Sequence, residues 1–397
     1  VYDSEEVRED RELIDSRHGV GGVSGEVATE ISPFSHDDLW LALLGRTSWT
    51  SVTTPIVASV VFSGPPSNSM FISSVNMNAY NYAPGTVLTV ANSLNNNGVL
   101  MVLSVSTDGK TLVVDKDLVS ETASATITVN NRVATVGATL TTFCMERAYR
   151  HSSPAYYQPM HGVVANEVAV ESDGDIANAS WGFVGQYCEG LLETTSNTHQ
   201  SGEAYQAVYS DAPFSSVSGS ISVVRDGVPY RLGTVTSLSL SINNGAEALP
   251  LVGSDRLSSF SFGATQVVGG SCTVLFESAL LYSIFEEEGE ASLVVRLDNF
   301  VSDSSEFLSF GLPRCKFNTA DIGDGAPEGL PVEIDFRALR PAPDNTGRSS
   351  QIFISTGAVD EIPPAIVPGQ DYYFDSFATA GGDGAELTPF HDLSELA

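Results

Sequence analysis

The side chains best suited to acid–base or metal chemistry are six histidines, His18, His36, His151, His161, His199 and His391. None falls at HExxH spacing, nor beside a carboxylate at an interval that would bring both to one face of an element. The nearest approach to a calcium loop is Glu171-x-Asp173-x-Asp175, but it lacks the glycine that bends such a loop. Gly182 stands where the closing acid belongs. Gly323, Gly325 and Gly329 are too widely spaced for a dinucleotide fingerprint, and Gly270-Ser271-Cys272 lacks the Gly-x-Ser-x-Gly elbow that exposes a nucleophile. Cys144, Cys188, Cys272 and Cys315 are scattered singly and read as buried thiols. The densest acidic cluster, Glu286-Glu287-Glu288 with Glu290, must face water or a solvated channel, the plainer reading being a solvated helix end. The expectation is therefore no catalytic residue, no cofactor and no metal.

Composition narrows the partners. Acidic residues outnumber basic ones 49 to 18, giving a formal charge of −31, and only three of the basic residues are lysines. A protein that grips nucleic acid needs cations to replace counterions at the phosphates, so any DNA nearby is meant not to adhere. No apolar run approaches the roughly 18 residues of a membrane helix. The acidic opening Val1-Tyr2-Asp3-Ser4-Glu5-Glu6 carries no visible export signal, and four cysteines in 397 residues supply no disulfide framework.

The elements that would position any site are mostly strands, because Val, Ile, Thr, Ser and Phe alternate over short runs between Gly, Asn and Asp clusters. Two helices interrupt them. Ser35-His36-Asp37-Asp38 ahead of Leu39, Trp40, Leu41, Leu43, Leu44 and Gly45 reads as a capped helix, and a second spans 278 to 288 and stops at Gly289. Residues 85 to 130, with turns such as Asp108-Gly109, form a small inserted β domain expected to face outward. The stretches 163–185 and 235–276 each open and close with a strand and read as an internal duplication. From about Arg340 the apolar content thins. Its islands Ile352-Phe353-Ile354 and Tyr372-Tyr373-Phe374 suit an arm that orders by docking on a neighbouring subunit, as well as a frayed terminus.

At Thr142-Phe143-Cys144-Met145-Glu146-Arg147-Ala148-Tyr149 the chain resembles the tail tube proteins of long, non-contractile-tailed bacteriophages. The resemblance continues through 163–170 and Ser180 to Gly185, then through 235–240, Asn243-Asn244-Gly245 and Gly270 to Glu277. It ends with Phe310-Gly311-Leu312-Pro313-Arg314 and the strand-like 332–339, covering roughly residues 20 to 340. Ala179-Ser180 departs from the Gly-Ser usual in the first copy. The resemblance implies a mainly β fold: duplicated tail-tube β-sandwich or split-barrel units with few short helices and a small inserted β domain.

The implied organisation is a core of 1–84 and 131–340, with a first copy at about 140–232 and a second at about 233–340. An insertion at 85–130 and an extension at 341–397 complete the chain. The implied role is a structural virion protein, made in the host cytoplasm, whose sheets join those of its neighbours in rings that stack around a channel for DNA. The strands' polar faces then make Glu167, Glu171, Ser237, Ser239 and Ser241 the candidate lumen residues, and Ile352, Phe353, Ile354, Tyr372, Tyr373 and Phe374 the candidate arm. Partners are further copies of the chain and other tail proteins. Two copies per chain favour a trimer ring of pseudo-sixfold symmetry, with a hexamer as the alternative. A distal-tail or baseplate ring protein remains an alternative, as does, from a different class, a secreted β-sandwich adhesin or hydrolase.

Overall fold

The computed structural model describes residues 2–3, 16–17, 19–53, 55–149, 156–174, 176–193, 213–232, 235–262, 265–276, 279–298, 306–322, 330–343, 349–357, 372–377, 386–387 and 391–392. Seven strands make the sheet around which the rest is arranged: β1 (Val23–Glu30), β2 (Tyr156–Ser172), β3 (Asn178–Gly185), β4 (Val235–Asn243), β5 (Val267–Leu275), β6 (Phe307–Ile322) and β7 (Pro331–Ala338). They pair antiparallel throughout in the order β1–β3–β2–β4–β5–β7–β6. Alternation along each strand buries one face. Val168, Val170, Trp181, Leu238, Leu240, Ile242, Cys272, Val274, Ile334 and Phe336 are all under a tenth exposed.

Against that face packs a second layer in which Ser215–Arg225, Glu290–Asp298, the first half of β6, Phe353–Gly357 and Asn130–Thr135 pair in turn. Because β6 is 16 residues long, it serves both layers and ties them together. One continuous core fills the space between them. At its centre Trp40 meets Trp181 and Phe310 edge-on at centroid distances of 4.6 and 5.4 Å, each such pair adding about 0.5–1.5 kcal/mol beyond its burial.

Trp40 belongs to the helix α1 (Asp37–Leu43), which is buried along almost its whole length. Ser35 does not cap it: its hydroxyl turns back to the Ser32 carbonyl at 2.9 Å. Gly45, at φ +69°, carries the chain out of the helix. Asp37 meets Arg132 at 2.5 Å, and Arg132 also donates to the Gly357 carbonyl at 3.1 Å, so this buried pair links α1 to the last strand of the second layer. Burial pushes the Asp37 carboxyl up to about 6 despite the opposing pull of Arg132, and holds the neighbouring His36 imidazole down at about 4. The second helix, α2 (Leu280–Glu286), ends before Gly289, because Glu288 itself adopts the left-handed conformation at φ 50°. Ser278, its expected start, lies outside the described residues.

Between α1 and the rest of the sandwich the chain forms a closed six-stranded barrel with its own core. The barrel begins at Ile56, not near 85, since Ile56–Ser63 pairs with Glu121–Thr128 and Ser69–Phe71 with Thr111–Val114. These two strands carry the same one-sided alternation as the sandwich strands, so their sequence does not reveal which body they join. The barrel docks on the outside of the second layer, where Val87, Met101, Leu103 and Val113 meet Val224, Val294 and Phe307. Val223, Leu293 and Val295, alternating with these, face the sandwich core. The barrel and the outer face of the seven-stranded sheet are therefore on opposite sides of the sandwich.

The sheet order also displays an internal repeat, and it is not the one expected. The stretches 163–185 and 235–276 lie side by side with β2 antiparallel to β4, Val170 facing Leu240. That relation reverses strand direction. The repeat that preserves direction matches β1, β3 and β2 with β5, β7 and β6, each triplet carrying a helix after its first strand. Two irregularities recur in step. Phe143–Tyr149 shifts register on β2 between Phe143 and Met145, as Glu290–Asp298 does on β6 between Ala291 and Leu293. Further along, β2 bulges at Asn166 against β3, and β6 bulges at Asn318 against β7. The spacing agrees throughout, with Val163 corresponding to Cys315, Met160 to Leu312 and Gly25 to Gly270.

Ile352, Phe353 and Ile354 lie at most 5% exposed inside the chain's own core, which removes them from the expected arm. Three apolar residues suffice here because the strand inserts between two others and borrows their core. Truncation after residue 340 should accordingly abolish a cooperative melt, whereas truncation after Gly357 should leave the melting temperature within a few degrees of the full chain, as read by circular dichroism.

Candidate functional site

The outer face of the seven-stranded sheet is read off by register. One row of cross-strand partners runs Glu30, Asn178, Glu171, Ser239, Ser271, Asp335 and Thr319. The next runs Ala28, Ser180, Ala169, Ser241, Gly269, Arg337 and Lys316, and a third runs Glu26, Gly182, Glu167, Asn243 and Val267. Beyond the register shift at the start of β4, Ser237 faces Thr273, which faces Glu333. All five residues expected to line a channel thus share one face of one sheet. The sequence reading missed Glu26, Glu30, Glu333 and Asp335, whose alternation was visible but whose neighbours in space were not.

The face is acidic and otherwise small. Two strands apart in the sheet is about 10 Å and four residues along a strand about 13 Å, so Glu26, Glu30, Glu167 and Glu171 mark the corners of a rectangle of roughly that size. At 0.1 M salt the screening length is about 10 Å, so their fields overlap above the sheet. Among the described side chains, six carboxylates on the face meet two cations, Arg337 and Lys316, which sit together near one edge. Polar contacts hold the carboxylates in place. Asn243 donates to Glu167 at 2.6 Å, Ser180 donates to Glu26, and Thr319 donates to Asp335 at 3.0 Å. Gly182 makes room for this arrangement, since a Cβ there would come within 2.5 Å of the Glu167 side chain.

Other groupings with chemical potential lead elsewhere. The Cys144 thiol lies 3.4 Å from His161 Nδ1, and His161 Nε2 lies 3.1 Å from Glu189, a nucleophile, base and acid in line. The spacing of these residues in sequence gives no hint of it. The sulfur is fully buried and His161 is stacked on Tyr187 at 4.7 Å, so the trio reads as a packed polar network at the β2 edge. Of the four cysteines expected to be buried, Cys188 is exposed. Glu171 and Asp173 are exposed at the end of β2, whereas Asp175 of the same motif lies outside the described residues. The glutamate cluster is partly neutralised, because Arg225 pairs with Glu287 and Arg314 grips Glu290 with contacts of 2.5 and 2.8 Å. A cleft beside the end of α1 is lined by residues such as Leu43, Val136, Leu140 and Phe262 and holds no charged side chain. Strand Tyr372–Phe377 runs parallel to Phe143–Tyr149, placing the backbone of Tyr372, Tyr373 and Phe374 on this chain; their side chains lie outside the described residues.

The described residues thus form a mainly β sandwich whose seven-stranded sheet presents an acidic outer face. The family described as phage tail tube protein matches residues 1–338, and the chain belongs to that family. Membership places it in the virion tail, in assembly with other tail subunits. No curated protein matches the chain.

Gly182 is the tightest point of the face. Gly182→Val should cost about 1–3 kcal/mol through displacement of Glu167, as measured by denaturant unfolding, with Gly25→Ala nearby tolerated because nothing lies within 4 Å of its Cβ direction.

Proposed function

We propose that the chain polymerises as stacked rings, with the outer face of β1–β7 lining a channel through which DNA leaves the virion. The observation that carries this reading is the uninterrupted row structure of that face. Seven strands present carboxylates and small polar groups without a pocket, and a surface of this kind repels phosphates instead of binding them. DNA passing within a screening length meets no cationic ladder and no donors set for base edges, so it slides without a preferred stopping point. The rest of the subunit agrees with this orientation. The barrel, on the far side of the sandwich, is then on the outside of the tube, and the chain acts without catalysis. Between β4 and β5, the hairpin of Glu247–Pro250 and Leu257–Ser261 exposes Leu249, Leu251 and Val252, an apolar tip suited to contact the next ring.

The direction-preserving repeat supports three chains per ring. Rotation about a ring axis carries each strand to one of the same direction, which is how β1, β3 and β2 relate to β5, β7 and β6. Three chains then present six triplets, with true threefold and approximate sixfold symmetry. Replacing Glu167 and Glu171 by lysine should leave tubes intact and slow genome ejection several-fold in a bulk release assay; unchanged kinetics would remove these residues from the lumen. Native mass measurement of a dissociated ring should give three chains, and six would overturn the role of the repeat.

A further inference from the structure

The repeat reaches beyond the sheet. Counting back from Gly25 and Gly270, the hairpin pair Glu247–Ser261 falls on residues 2 and 16, within one residue of the observed pairs Tyr2–Arg17 and Asp3–Ser16. A short two-stranded ladder thus leads each triplet. The ladder that leads the second triplet packs against the first. Leu257 donates its amide to the Gln186 carbonyl at 3.3 Å, Gln186 Nε2 donates to the Ser258 carbonyl at 3.1 Å, and Arg256 lies over the Tyr187 ring at 4.0 Å.

The matching surface on the second triplet has changed its charge. The Leu339 amide donates to the Arg314 carbonyl as the Gln186 amide donates to that of His161, so Arg340 stands where Tyr187 stands in the first triplet. The cross-strand pair Val164–Val184 is replaced by Lys316–Arg337. Four of the chain's 18 lysines and arginines therefore gather on one surface. Arg314 is held by Glu290, but Lys316 and Arg337 form no ion pair with a described residue, and like charges set side by side cost the sheet stability. The leading ladder has changed in the opposite sense. Residues 1–17 carry seven acids, from Asp3 to Asp15, against three arginines, where 247–261 holds Glu247, Asp255 and Arg256 among otherwise uncharged residues.

We infer that the acidic segment Asp3–Asp15 of a second copy of this chain docks on the basic surface of Arg314, Lys316, Arg337 and Arg340, as the 247–261 hairpin docks on Gln186 and Tyr187 within one chain. The two surfaces are complementary in charge where their internal counterparts are nearly neutral, so electrostatics selects this pairing over the internal one. The chain's own segment leads into β1, five strands away from β7 across the sheet, so the occupant comes from a neighbour. The cation pair that burdens the isolated subunit is thereby neutralised only on assembly. This inference rests on the assembly proposed above and adds a contact, outside the sheet, of stated chemistry.

Carbodiimide cross-linking of assemblies grown from a mixture of isotope-labelled and unlabelled full-length chains tests it. Lys316 should be joined to a carboxylate of 3–15, in cross-linked peptides that combine both labels. Arg337→Glu with Arg340→Glu should raise the subunit concentration needed for assembly about tenfold or more, and adding Glu5→Lys, Glu6→Lys and Glu9→Lys to the same chain should bring it back to within about threefold of the parent. A purely structural role for the arginines would give no such recovery. Assemblies that form without the Lys316 cross-link, cross-links confined to a single label, or a charge exchange that restores nothing would overturn the inference while leaving the tube function standing. A chain that never assembles would overturn both.

Discussion

The structure depends on keeping one register across seven antiparallel strands. A slip of one residue in any strand turns its apolar residues into water and its carboxylates into the core, and the cost of burying even one unpaired carboxylate exceeds what a sheet pairing returns. The bulges at Asn166 and Asn318 are the points where register is reset. Each adds one residue to a long strand just past the point where the strand covering its first half ends, Phe143–Tyr149 on β2 and Glu290–Asp298 on β6.

From that constraint follows the division of labour between the two sides of the molecule. The inner side of the sheet is committed to a core centred on Trp40, Trp181 and Phe310, so nothing on that side is free for function. The outer side is relieved of packing and can be chosen for charge and size alone. Glycines and serines between the glutamates keep it low, and Gly182 and Gly269 sit where a larger residue would strike a neighbour. The insertion of a whole barrel is tolerated because it enters after α1 and docks on the opposite layer, leaving the sheet's rows unbroken.

The few groups with reactive potential are spent on structure. Arg132 and Asp37 neutralise each other in the core, and removing either would leave a buried charge at a cost of about 3–5 kcal/mol. His161 bridges a buried thiol and Glu189 where strands cross. These networks bind the chain to itself and leave its open edges and its acidic face as the surfaces available to partners.

How much of this could be read in advance differs by element. Val168 and Val170, or Leu238, Leu240 and Ile242, show their buried face by alternation alone, and the run from Leu39 to Gly45 shows its helix, because local periodicity reports burial directly. The acidity of the face and the absence of cationic ladders are equally properties of composition. Which strands are neighbours is not local. The seven-strand order, the matching of β1–β3–β2 with β5–β7–β6 and the meeting of Glu26 with Glu167 across Gly182 depend on pairings between residues as distant in sequence as Val23 and Gly185. Likewise Ile352 to Ile354 look like a stray apolar island until two distant strands supply the core that they complete. Periodicity told which side of each strand is dry; only the tertiary structure decided which strands share that side, because pairing energy is the same for any two edges until packing selects among them.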